Sequence, residues 1–356
     1  MNPEMKKYAV LVAGGTGGHI NAAIAIGEAL NSEGWKIQYL TGKRPLDYKL
    51  FKSPNVKHLD SRPLRTNNPF ILIKNIIMNV VSFFSIFFEF LLKRPKVIVG
   101  AGGYVCGPTL LAGFLLFIPV FIIEQNAVMG LTNRILGWIS TRIFVHFTRT
   151  QGLSKHLAKK VRVVGNPTRK AIQPVGPVKP HDELRVLVFG GSLGAAQINK
   201  VIFDFLKNPS AETLTIHHQI GGEQKLPEIE TSVNYVPMNY IEDMQKEYEW
   251  CDVIISRSGA STVSELAIIK KPVLIFPYPA ATDNHQVYNA EIFKEEADFT
   301  VEILDPKLSH EDALKRTQEF LFKASRQELK YSKMPSPGNH TCEEVLKEIK
   351  FHVGMA

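Results

Sequence analysis

The segment VLVAGGTGGHINAAIAIGEAL at Val10–Leu30 is the clearest indication of the fold. A similar pattern of residues occurs in VLVFGGSLGAAQINKVIFDFL at Val186–Leu206. Each segment has the pattern of a buried apolar strand, a glycine-rich turn and a helix. A strand that leads through a tight glycine turn into a helix is typical of the start of a βαβ unit. The duplication therefore predicts an α/β chain with two Rossmann-like domains, which we expect to face a cleft.

Short β-branched runs alternate with helix-length segments through both halves, which indicates parallel sheets. The expected strands are Tyr8–Ala13, Lys36–Leu40, Val97–Gly100, Val120–Glu124, Arg142–Val145, Arg162–Val164, Arg185–Phe189, Thr215–Gln219, Val233–Tyr235, Val253–Ser256, Val273–Phe276 and Phe299–Val301. A Pro-rich connection separates the two series. We expect 1–164, with a C-terminal helix at about 341–356, to form one domain and 165–340 to form the other.

Composition narrows the classes of function. The 356 residues carry 42 basic and 34 acidic side chains, a formal charge of +8, which favours an anionic partner but serves solubility equally well. A dense Lys/Arg stripe with interleaved aromatics is absent, so we expect no nucleic-acid partner. Cys106, Cys251 and Cys342 lie far apart without a CxxC pair, which suggests neither disulfides nor zinc. The N-terminus has no signal-peptide pattern, so a cytoplasmic location is expected.

The segment FILIKNIIMNVVSFFSIFFEFLL at Phe70–Leu92 is about as long as a membrane-spanning helix, but Lys74 and Glu89 interrupt it. We interpret it as one or two helices, partly core and partly an exposed apolar face. The basic residues that flank it are Arg62, Arg65, Lys93, Arg94 and Lys96. An apolar face with a cationic rim is typical of proteins that lie on an anionic membrane without crossing it. The alternative is an ordinary buried helix.

Glycine turns that open helices are candidate phosphate sites, because the helix N-terminus presents unpaired N–H groups that glycine lets an anion approach. The chain has such turns at Gly14–His19 and Gly190–Ala195, and a third in ISRSGASTVSE at Ile255–Glu265. We expect the helix after the third turn to span Val263–Lys270. Glu265 has two interpretations: the acid of a capping box begun by Thr262, or the acceptor of two hydrogen bonds from a ribose diol.

Other chemistries are disfavoured. A dinucleotide fold places a ribose-binding acid after its second strand, whereas Thr41-Gly42-Lys43-Arg44 stands there, and GGTGGH differs from GxGxxG. A Walker lysine follows none of the glycine turns, which disfavours an ATPase. The sequence has no Asp-x-Asp pair and no His/Asp cluster with ligand spacing. We therefore expect no cofactor and no protein-built metal site.

Eight motifs, in order and across nearly the whole chain, resemble those of the MurG family of bacterial cell-wall glycosyltransferases. They are GGTGGH (Gly14–His19), GAGGYVCGP (Gly100–Pro108), EQNAVMGLTNR (Glu124–Arg134), VGNPTR (Val164–Arg169), GGSLGA (Gly190–Ala195), YIEDM (Tyr240–Met244), SRSGASTVSE (Ser256–Glu265) and DNHQVYNA (Asp283–Ala290). The family transfers N-acetylglucosamine from UDP-N-acetylglucosamine to the membrane-embedded diphosphate lipid I, giving lipid II. The resemblance implies the GT-B architecture and a peripheral enzyme at the cytoplasmic face of the bacterial inner membrane.

The resemblance also implies that the C-terminal domain binds the sugar nucleotide. The residues expected there are Arg169, Ser192, Ile241, Ala260, Ser261, Thr262, Val263, Ser264, Glu265, Gln286 and Asn289. Ser192 would contact the diphosphate, the Ile241 backbone would read uracil and Glu265 would bind the ribose diol. Arg169 would lie near the nucleotide, and Gln286 with Asn289 would read the sugar hydroxyls.

In the first domain, the residues expected to line the cleft are Thr16, Gly17, Gly18 and Asn126. Inverting transfer requires that the acceptor 4-hydroxyl lose a proton while the leaving UDP takes up negative charge. His19 is the expected general base, because histidine ordinarily titrates near neutral pH. Its alternatives are binding of the acceptor diphosphate and capping of the helix, and Glu124 and Asn126 are the other candidates to activate or position the acceptor.

Without a metal, backbone N–H groups and the cations Arg257 and Arg169 would stabilise the leaving diphosphate. Three departures from the family pattern bear on loop shape and acceptor fit: Ile123 in place of His, Met129 in place of Pro and Cys106 in place of Ser. The segment after His19 also lacks the family's proline. Competing functions are another UDP-sugar transferase acting on a glycolipid, a sugar-nucleotide epimerase, and a nucleotide-sugar-binding regulator without turnover.

Overall fold

The computed structural model describes residues 7–167, 172–176, 182–191, 194–209, 213–222, 229–333 and 340–355. The chain divides into two compact units. Unit 1 comprises Met1–Arg169 and Asn339–Ala356, and unit 2 comprises Lys170–Gly338. Each unit is an α/β layer structure with its own parallel sheet and its own hydrophobic core.

The described strands, in chain order, are β1 Tyr8–Ala13, β2 Lys36–Thr41, β3 Val56–His58, β4 Val97–Gly102, β5 Val120–Glu124, β6 Arg142–Val145, β7 Val161–Val163, β8 Leu184–Phe189, β9 Leu214–Gln219, β10 Asn234–Met238, β11 Val253–Ser256, β12 Val273–Ile275 and β13 Val301–Ile303. The described α-helices are α1 Gly17–Ser32, α2 Pro45–Leu50, α3 Pro69–Leu92, α4 Cys106–Leu115, α5 Leu131–Leu136, α6 Lys155–Ala158, α7 Ala196–Lys207, α8 Met244–Trp250, α9 Ala260–Ile269, α10 His285–Glu296, α11 His310–Ser325 and α12 Thr341–His352.

The unit 1 sheet has the order β3-β2-β1-β4-β5-β6-β7, and its strand pairs are parallel. All six residues of β1 are buried, as expected for a strand covered by helices on both faces. Alternate residues of this strand enter two cores: Leu11 packs with α1 and α12, and Val10 packs with α3 and α4.

Helix α12 packs within unit 1. Val345, Leu346 and Ile349 join the core formed by α1, and the Lys350 ammonium lies 2.6 Å from a carboxylate oxygen of Glu33. The C-terminal segment thus closes the outer layer of the first unit.

The unit 2 sheet has the order β10-β9-β8-β11-β12-β13, again with parallel pairs. In both sheets the strand order changes direction next to the first strand of the unit. The change lies between β1 and β4 in unit 1 and between β8 and β11 in unit 2. Open α/β sheets bind ligands outside the carboxyl ends of the strands at such switch points. The glycine turns predicted from the sequence follow these strands.

Edge strands depart most from the sequence-based expectations. β3 has no counterpart among the expected strands, because Val-Lys-His has a charged centre and is only half-buried. The last strand was expected at Phe299–Val301 but spans Val301–Ile303. Phe299 instead packs in the loop before it, with its ring centroid 5.8 Å from that of Phe293.

Helix α3 is a single helix that turns several polar side chains towards unit 1 and leaves most of its apolar side chains exposed. Asn75 Nδ2 donates to the Pro63 carbonyl at 2.8 Å, and Asn79 Nδ2 donates to the Arg62 carbonyl at 2.8 Å. Glu89 accepts from Gln38 Nε2 at 3.0 Å and pairs with Lys57. The exposed apolar residues, here called the α3 face, are Phe70, Ile71, Ile73, Ile76, Ile77, Val80, Val81, Phe84, Phe88, Leu91 and Leu92.

Among the described helices, α3 is the one that is long and apolar enough to cross a membrane. Core helices of soluble proteins can have the same length and composition. Four of its residues are buried: Asn75, Ser82, Ile86 and Phe90. Helix α4 packs against α3. Next to the α3 face, four further apolar residues in and just after α4 are exposed: Leu111, Phe114, Leu115 and Phe117. The prediction of a partly exposed apolar helix is confirmed, and it is one helix rather than two.

Candidate functional site

In unit 2, the glycine turn after β8 lies beside the end of β9. Gly191 and Gly194 have φ values of +90° and +74°, a region that L side chains rarely adopt. Gly194 N donates to the Gly191 carbonyl at 2.9 Å. Ser192, the residue expected to contact a diphosphate, lies between them but outside the described residues, as does Arg169.

Arg257 follows β11 and sits next to this turn, because Ser256 pairs in register with Phe189. Its guanidinium Nη1 donates to Gln197 Oε1 at 3.0 Å and to the carbonyls of Phe276 and Pro277 at 2.9 and 3.1 Å. Only 8% of Arg257 is exposed, and burial lowers its pKa below the usual range of arginine.

None of these partners is anionic, and across the described part of the chain the guanidinium of Arg257 makes no ion pair. A buried cation without a counter-ion is costly, and an anion beside it would offset that cost. The carboxyl edge formed by β8, β11 and β12 therefore favours a negatively charged ligand.

The Ser258–Gly259 turn is shaped by α10. Ser258 Oγ donates to the Gln286 carbonyl at 2.7 Å, and Asn289 Nδ2 donates to the Ser258 carbonyl at 3.0 Å. Asn289 is fully buried, whereas Gln286 is half-buried and its Oε1 accepts from Tyr278 N at 2.9 Å. Before α10, Asp283 and Asn284 adopt left-handed backbone angles.

Helix α9 begins at Ala260 with Gly259 as its N-cap, three residues earlier than the sequence suggests. Thr262 therefore lies inside the helix, and the capping-box interpretation of Glu265 is wrong. Glu265 accepts a hydrogen bond from the Tyr248 hydroxyl at 2.8 Å and is 9% exposed. The sequence-predicted residues Ala260 to Glu265 are thus placed together on the first two turns of α9.

Ile241 lies between β10 and α8, and its side chain is buried.

In unit 1, the turns after β1 and β4 interlock. Gly14 N donates to the Gly102 carbonyl at 3.2 Å, and a Cβ on Gly103 would lie 2.2 Å from the Gly14 carbonyl oxygen. α1 begins at Gly17, and the Thr16 hydroxyl caps it by accepting from His19 N at 3.4 Å. The structure thus brings Thr16, Gly17, Gly18 and His19 together beside the GAGGY motif.

The His19 imidazole is oriented by the same turn. Its Nδ1 lies 3.2 Å from the Gly14 carbonyl oxygen, which can only accept, so Nδ1 carries the proton and Nε2 carries the lone pair. A Cβ on Gly102 would lie 2.7 Å from the His19 ring, so glycine there makes room for it. This tautomer is the one that a general base acting through Nε2 requires.

Sequence reasoning missed Asp47. An acid was sought directly after β2, but the carboxylate comes from α2. Asp47 Oδ1 accepts from Gly15 N at 3.2 Å and Oδ2 accepts from Arg44 N at 3.0 Å. Asp47 is fully buried and both oxygens bind backbone amides, so it stabilises the glycine turn. The Arg44 guanidinium lies 4.8 Å from the Tyr104 ring centroid beside this turn.

Glu124 lies at the end of β5 and is 2% exposed. Its Oε1 accepts from the backbone N and the side-chain Nδ2 of Asn126 at 3.0 and 3.4 Å. Its Oε2 accepts from Gly130 N at 2.9 Å and from Asn133 Nδ2 at 2.8 Å. The Glu124 carboxylate accepts from these four donors and so holds the 125–130 loop in place. Within this loop, Asn126 is half-buried.

The departures from the family pattern are buried. Ile123 and Met129 lie in the two cores of unit 1. Cys106 is fully buried, its Sγ lies 3.4 Å from the Val12 carbonyl oxygen, and burial raises the pKa of its thiol to about 12. Among the described residues, His, Cys, Asp and Glu form no group of three or more that could hold a metal ion.

Residues 9–145 match the model described as the glycosyltransferase family 28 N-terminal domain, and residues 185–347 match that of the family 28 C-terminal domain. A protein of Shewanella denitrificans named UDP-N-acetylglucosamine--N-acetylmuramyl-(pentapeptide) pyrophosphoryl-undecaprenol N-acetylglucosamine transferase is 35% identical over 313 residues, 82% of each chain. The protein of that name from Francisella philomiragia is 34% identical over 323 residues, 83% of this chain and 84% of its own.

Two solved structures extend the comparison. The crystal structure of Acinetobacter baumannii MurG has a TM-score of 0.72 at 27% identity and covers 97% of this chain and 99% of its own. A Listeria monocytogenes protein described as a putative UDP-N-acetylglucosamine 2-epimerase has a TM-score of 0.63 at 12% identity, covering 99% and 98%. The second likeness concerns the fold alone.

Proposed function

This chain belongs to glycosyltransferase family 28, and we propose that it transfers N-acetylglucosamine from UDP-N-acetylglucosamine to lipid I. The acceptor atom is the 4-hydroxyl oxygen of the N-acetylmuramoyl unit, and the product is lipid II for peptidoglycan synthesis. The relatives that carry this activity in their names match about four-fifths of the chain. The observation in the structure that carries the proposal furthest is the buried guanidinium of Arg257 beside the glycine turn after β8, which makes no ion pair with any residue that the structure describes.

Unit 2 supplies the donor site, corresponding to 165–340 of the sequence-based division. Arg257 neutralises the diphosphate together with backbone N–H groups near Ser192 and Ala260. Arg169, which belongs to unit 1, is proposed to act on the same diphosphate. Glu265 binds the ribose diol, with its carboxylate oriented by the Tyr248 hydroxyl, and the Ile241 backbone reads uracil. Further contacts to phosphate and ribose come from Ser261, Thr262, Val263 and Ser264.

The sugar-reading residues divide into two roles. Gln286 is half-buried and contacts the sugar hydroxyls. Asn289 is fully buried with its Nδ2 on the Ser258 carbonyl, so we assign it a positioning role on the Ser258–Gly259 turn. No cofactor and no metal ion takes part.

Unit 1 supplies the acceptor site and the membrane contact, corresponding to 1–164 with the C-terminal helix. His19 Nε2 takes the proton from the acceptor 4-hydroxyl, and that oxygen attacks C1 of the donor sugar. The bond between C1 and the β-phosphate oxygen breaks, and UDP leaves with the electron pair on the opposite side. The anomeric configuration is therefore inverted. Glu124 positions Asn126 rather than acting as the base, because its oxygens already accept hydrogen bonds from Asn126, Gly130 and Asn133.

The α3 face is proposed to dock on the anionic cytoplasmic surface of the bacterial inner membrane, without crossing it. Asn75 and Asn79 bond to unit 1 and Ile86 and Phe90 are buried in its core, but the exposed side of α3 is mostly apolar, whereas a helix side that faces water is ordinarily polar. Arg62, Arg65, Lys93 and Arg94 are exposed near its two ends. Apolar insertion with cations at the rim suits attachment to anionic lipid, and the acceptor is itself a membrane lipid.

An acceptor comparison tests the function. The protein, with UDP-N-acetylglucosamine, is offered a lipid I analogue, diacylglycerol or no acceptor, and the products are identified by mass. We expect lipid II from the lipid I analogue alone. Transfer to diacylglycerol would indicate the alternative, a UDP-sugar transferase for another membrane glycolipid. Conversion of the sugar nucleotide without acceptor would indicate an epimerase, and binding without turnover a regulatory protein.

A further inference from the structure

The glycine turn after β8 depends on the end of β9. Phe189 pairs in register with Gln219, so the first residues of the turn pass alongside the residues that follow β9. Gln219 is 4% exposed, and its side-chain Nε2 donates to the Gly191 carbonyl at 2.8 Å. The Gly191 carbonyl is therefore held by an amide from the neighbouring strand.

The other flank is fixed by close packing. A Cβ on Gly194 would lie 2.0 Å from the Ile220 carbonyl oxygen and 3.0 Å from the Gly221 Cα. With its φ of +74°, Gly194 can occupy only the space that this carbonyl leaves. The position of the Ile220 carbonyl therefore sets the position of the turn.

The Ile220 carbonyl is in turn oriented by a chain of side chains. Asn199 Nδ2 lies 2.8 Å from the Ile220 oxygen, and Asn199 Oδ1 lies 3.2 Å from His218 Nε2. His218 Nδ1 lies 3.0 Å from the Tyr235 hydroxyl. The chain Tyr235–His218–Asn199–Ile220 thus links β10, β9 and α7.

The direction of donation along this chain follows from its last member. A carbonyl only accepts, so the Asn199 amide nitrogen donates to Ile220 and the Asn199 oxygen is left as an acceptor. His218 Nε2 must then carry a proton, and in the neutral ring Nδ1 accepts from the Tyr235 hydroxyl. His218 is fully buried, and burial lowers its pKa to about 3. The imidazole therefore stays neutral and keeps this one arrangement.

We propose that His218 and Gln219 are positioning residues that set Gly191 and Gly194, on either side of Ser192, for the diphosphate of the sugar nucleotide. The inference rests on the proposed function, which assigns that turn to the donor. Neither side chain touches the substrate in this account. They act through the geometry of backbone groups that must meet the diphosphate before and during departure of UDP.

The variants Gln219→Met and His218→Leu remove the donors with little change in volume. Both should raise the Kd for UDP and the KM for UDP-N-acetylglucosamine by about tenfold or more, the loss of roughly one good hydrogen bond. The KM for the lipid I analogue should stay unchanged. His218→Gln keeps an amide donor towards Asn199 and should recover most of the affinity, which a purely structural role would not predict.

Thr215→Val is the matched control. It removes a partly buried hydrogen bond, from the Thr215 hydroxyl to Glu183 at 2.9 Å, near the other end of the same strand. UDP affinity should be unchanged. If His218→Leu fails to fold, Gln219→Glu tests the positioning role in its place. An ionised carboxylate cannot donate to the Gly191 carbonyl, so this variant should also bind UDP more weakly.

The outcomes separate the two claims. Folded variants that bind UDP as tightly as the wild type would overturn the positioning role and leave the proposed function standing. A wild-type protein that binds neither UDP nor UDP-N-acetylglucosamine would overturn the proposed function, and this inference with it. A KM increase shared equally by donor and acceptor would also contradict the positioning role.

Discussion

At the scale of single residues, the His19 ring carries the most direct chemical consequence. In the neutral ring the Gly14 carbonyl accepts from Nδ1, so Nε2 is the nitrogen that we propose takes the proton of the acceptor hydroxyl. Replacing His19 by Ala should reduce kcat by 10²- to 10⁴-fold, the usual contribution of a general base. Single-turnover kinetics with the lipid I analogue measure this, and the Kd for UDP serves as the control because it should not change. A reduction of less than about tenfold would rule out the base assignment.

Glu265 offers a second test at this scale. If its carboxylate binds the ribose diol, the wild type should prefer UDP to 2′-deoxy-UDP. Glu265→Ala should bind both ligands weakly and equally, which isothermal titration calorimetry can measure. Tyr248→Phe, which removes the hydroxyl 2.8 Å from the carboxylate, should give an intermediate preference. A Glu265→Ala protein that still prefers UDP would assign the diol to another residue.

His218 predicts a pH dependence of stability. Its folded-state pKa is about 3, against an ordinary value of 6.5. Between these values the unfolded chain binds a proton that the folded chain does not. Stability contributed by the neutral ring is therefore complete above pH 6.5 and is lost as the pH falls, by up to about 1.4 kcal/mol per pH unit. Urea midpoints from pH 7 to pH 5 should fall less steeply in His218→Gln than in the wild type, and equal slopes would contradict this.

At the level of elements, α3 combines an apolar exposed face with a buried face that carries both polar and apolar side chains. Phe84 and Phe88 are 51% and 58% exposed, whereas Phe83 and Phe87 pack partly against the core. Glutamate at Phe84 and Phe88 together should release the protein from anionic vesicles in a sedimentation assay without unfolding it. Phe351→Glu is the control, because Phe351 is 68% exposed on α12, on the opposite face of the sheet. Unchanged sedimentation of the double variant would count against membrane docking.

The elements themselves were largely predictable, and the reason is physical. A strand such as Tyr8–Ala13 is buried on both faces and reads as a continuous apolar run. The Gly-rich turns mark where strand gives way to helix. The short edge strand Val56–His58 carries no such signal, and the start of α9 at Ala260 was missed because Gly259 caps it without a side chain.

At the scale of the whole molecule, both units place glycine turns at the switch point of a parallel sheet. The residue types at these turns could be predicted because the motifs are local. The residues that bond to these turns could not be predicted from the sequence. Asp47 accepts from Gly15 across 32 positions of the chain, and Gln197 accepts from Arg257 across 60 positions. Contacts of that range depend on how the strands are ordered in the sheet. For the same reason the sequence did not distinguish Glu124 as a loop organiser from Glu124 as a catalyst.

The proposed transfer can be tested by UDP release from UDP-N-acetylglucosamine with a lipid I analogue, in the presence of a chelator. We expect release that requires the acceptor, persists with the chelator, and accompanies a product in which the new glycosidic bond is β. Arg257→Leu should lower the rate and weaken UDP binding together, because the buried cation beside the donor turn is lost. Absence of acceptor-dependent release by the folded wild-type protein, or abolition of that release by the chelator, would contradict the account.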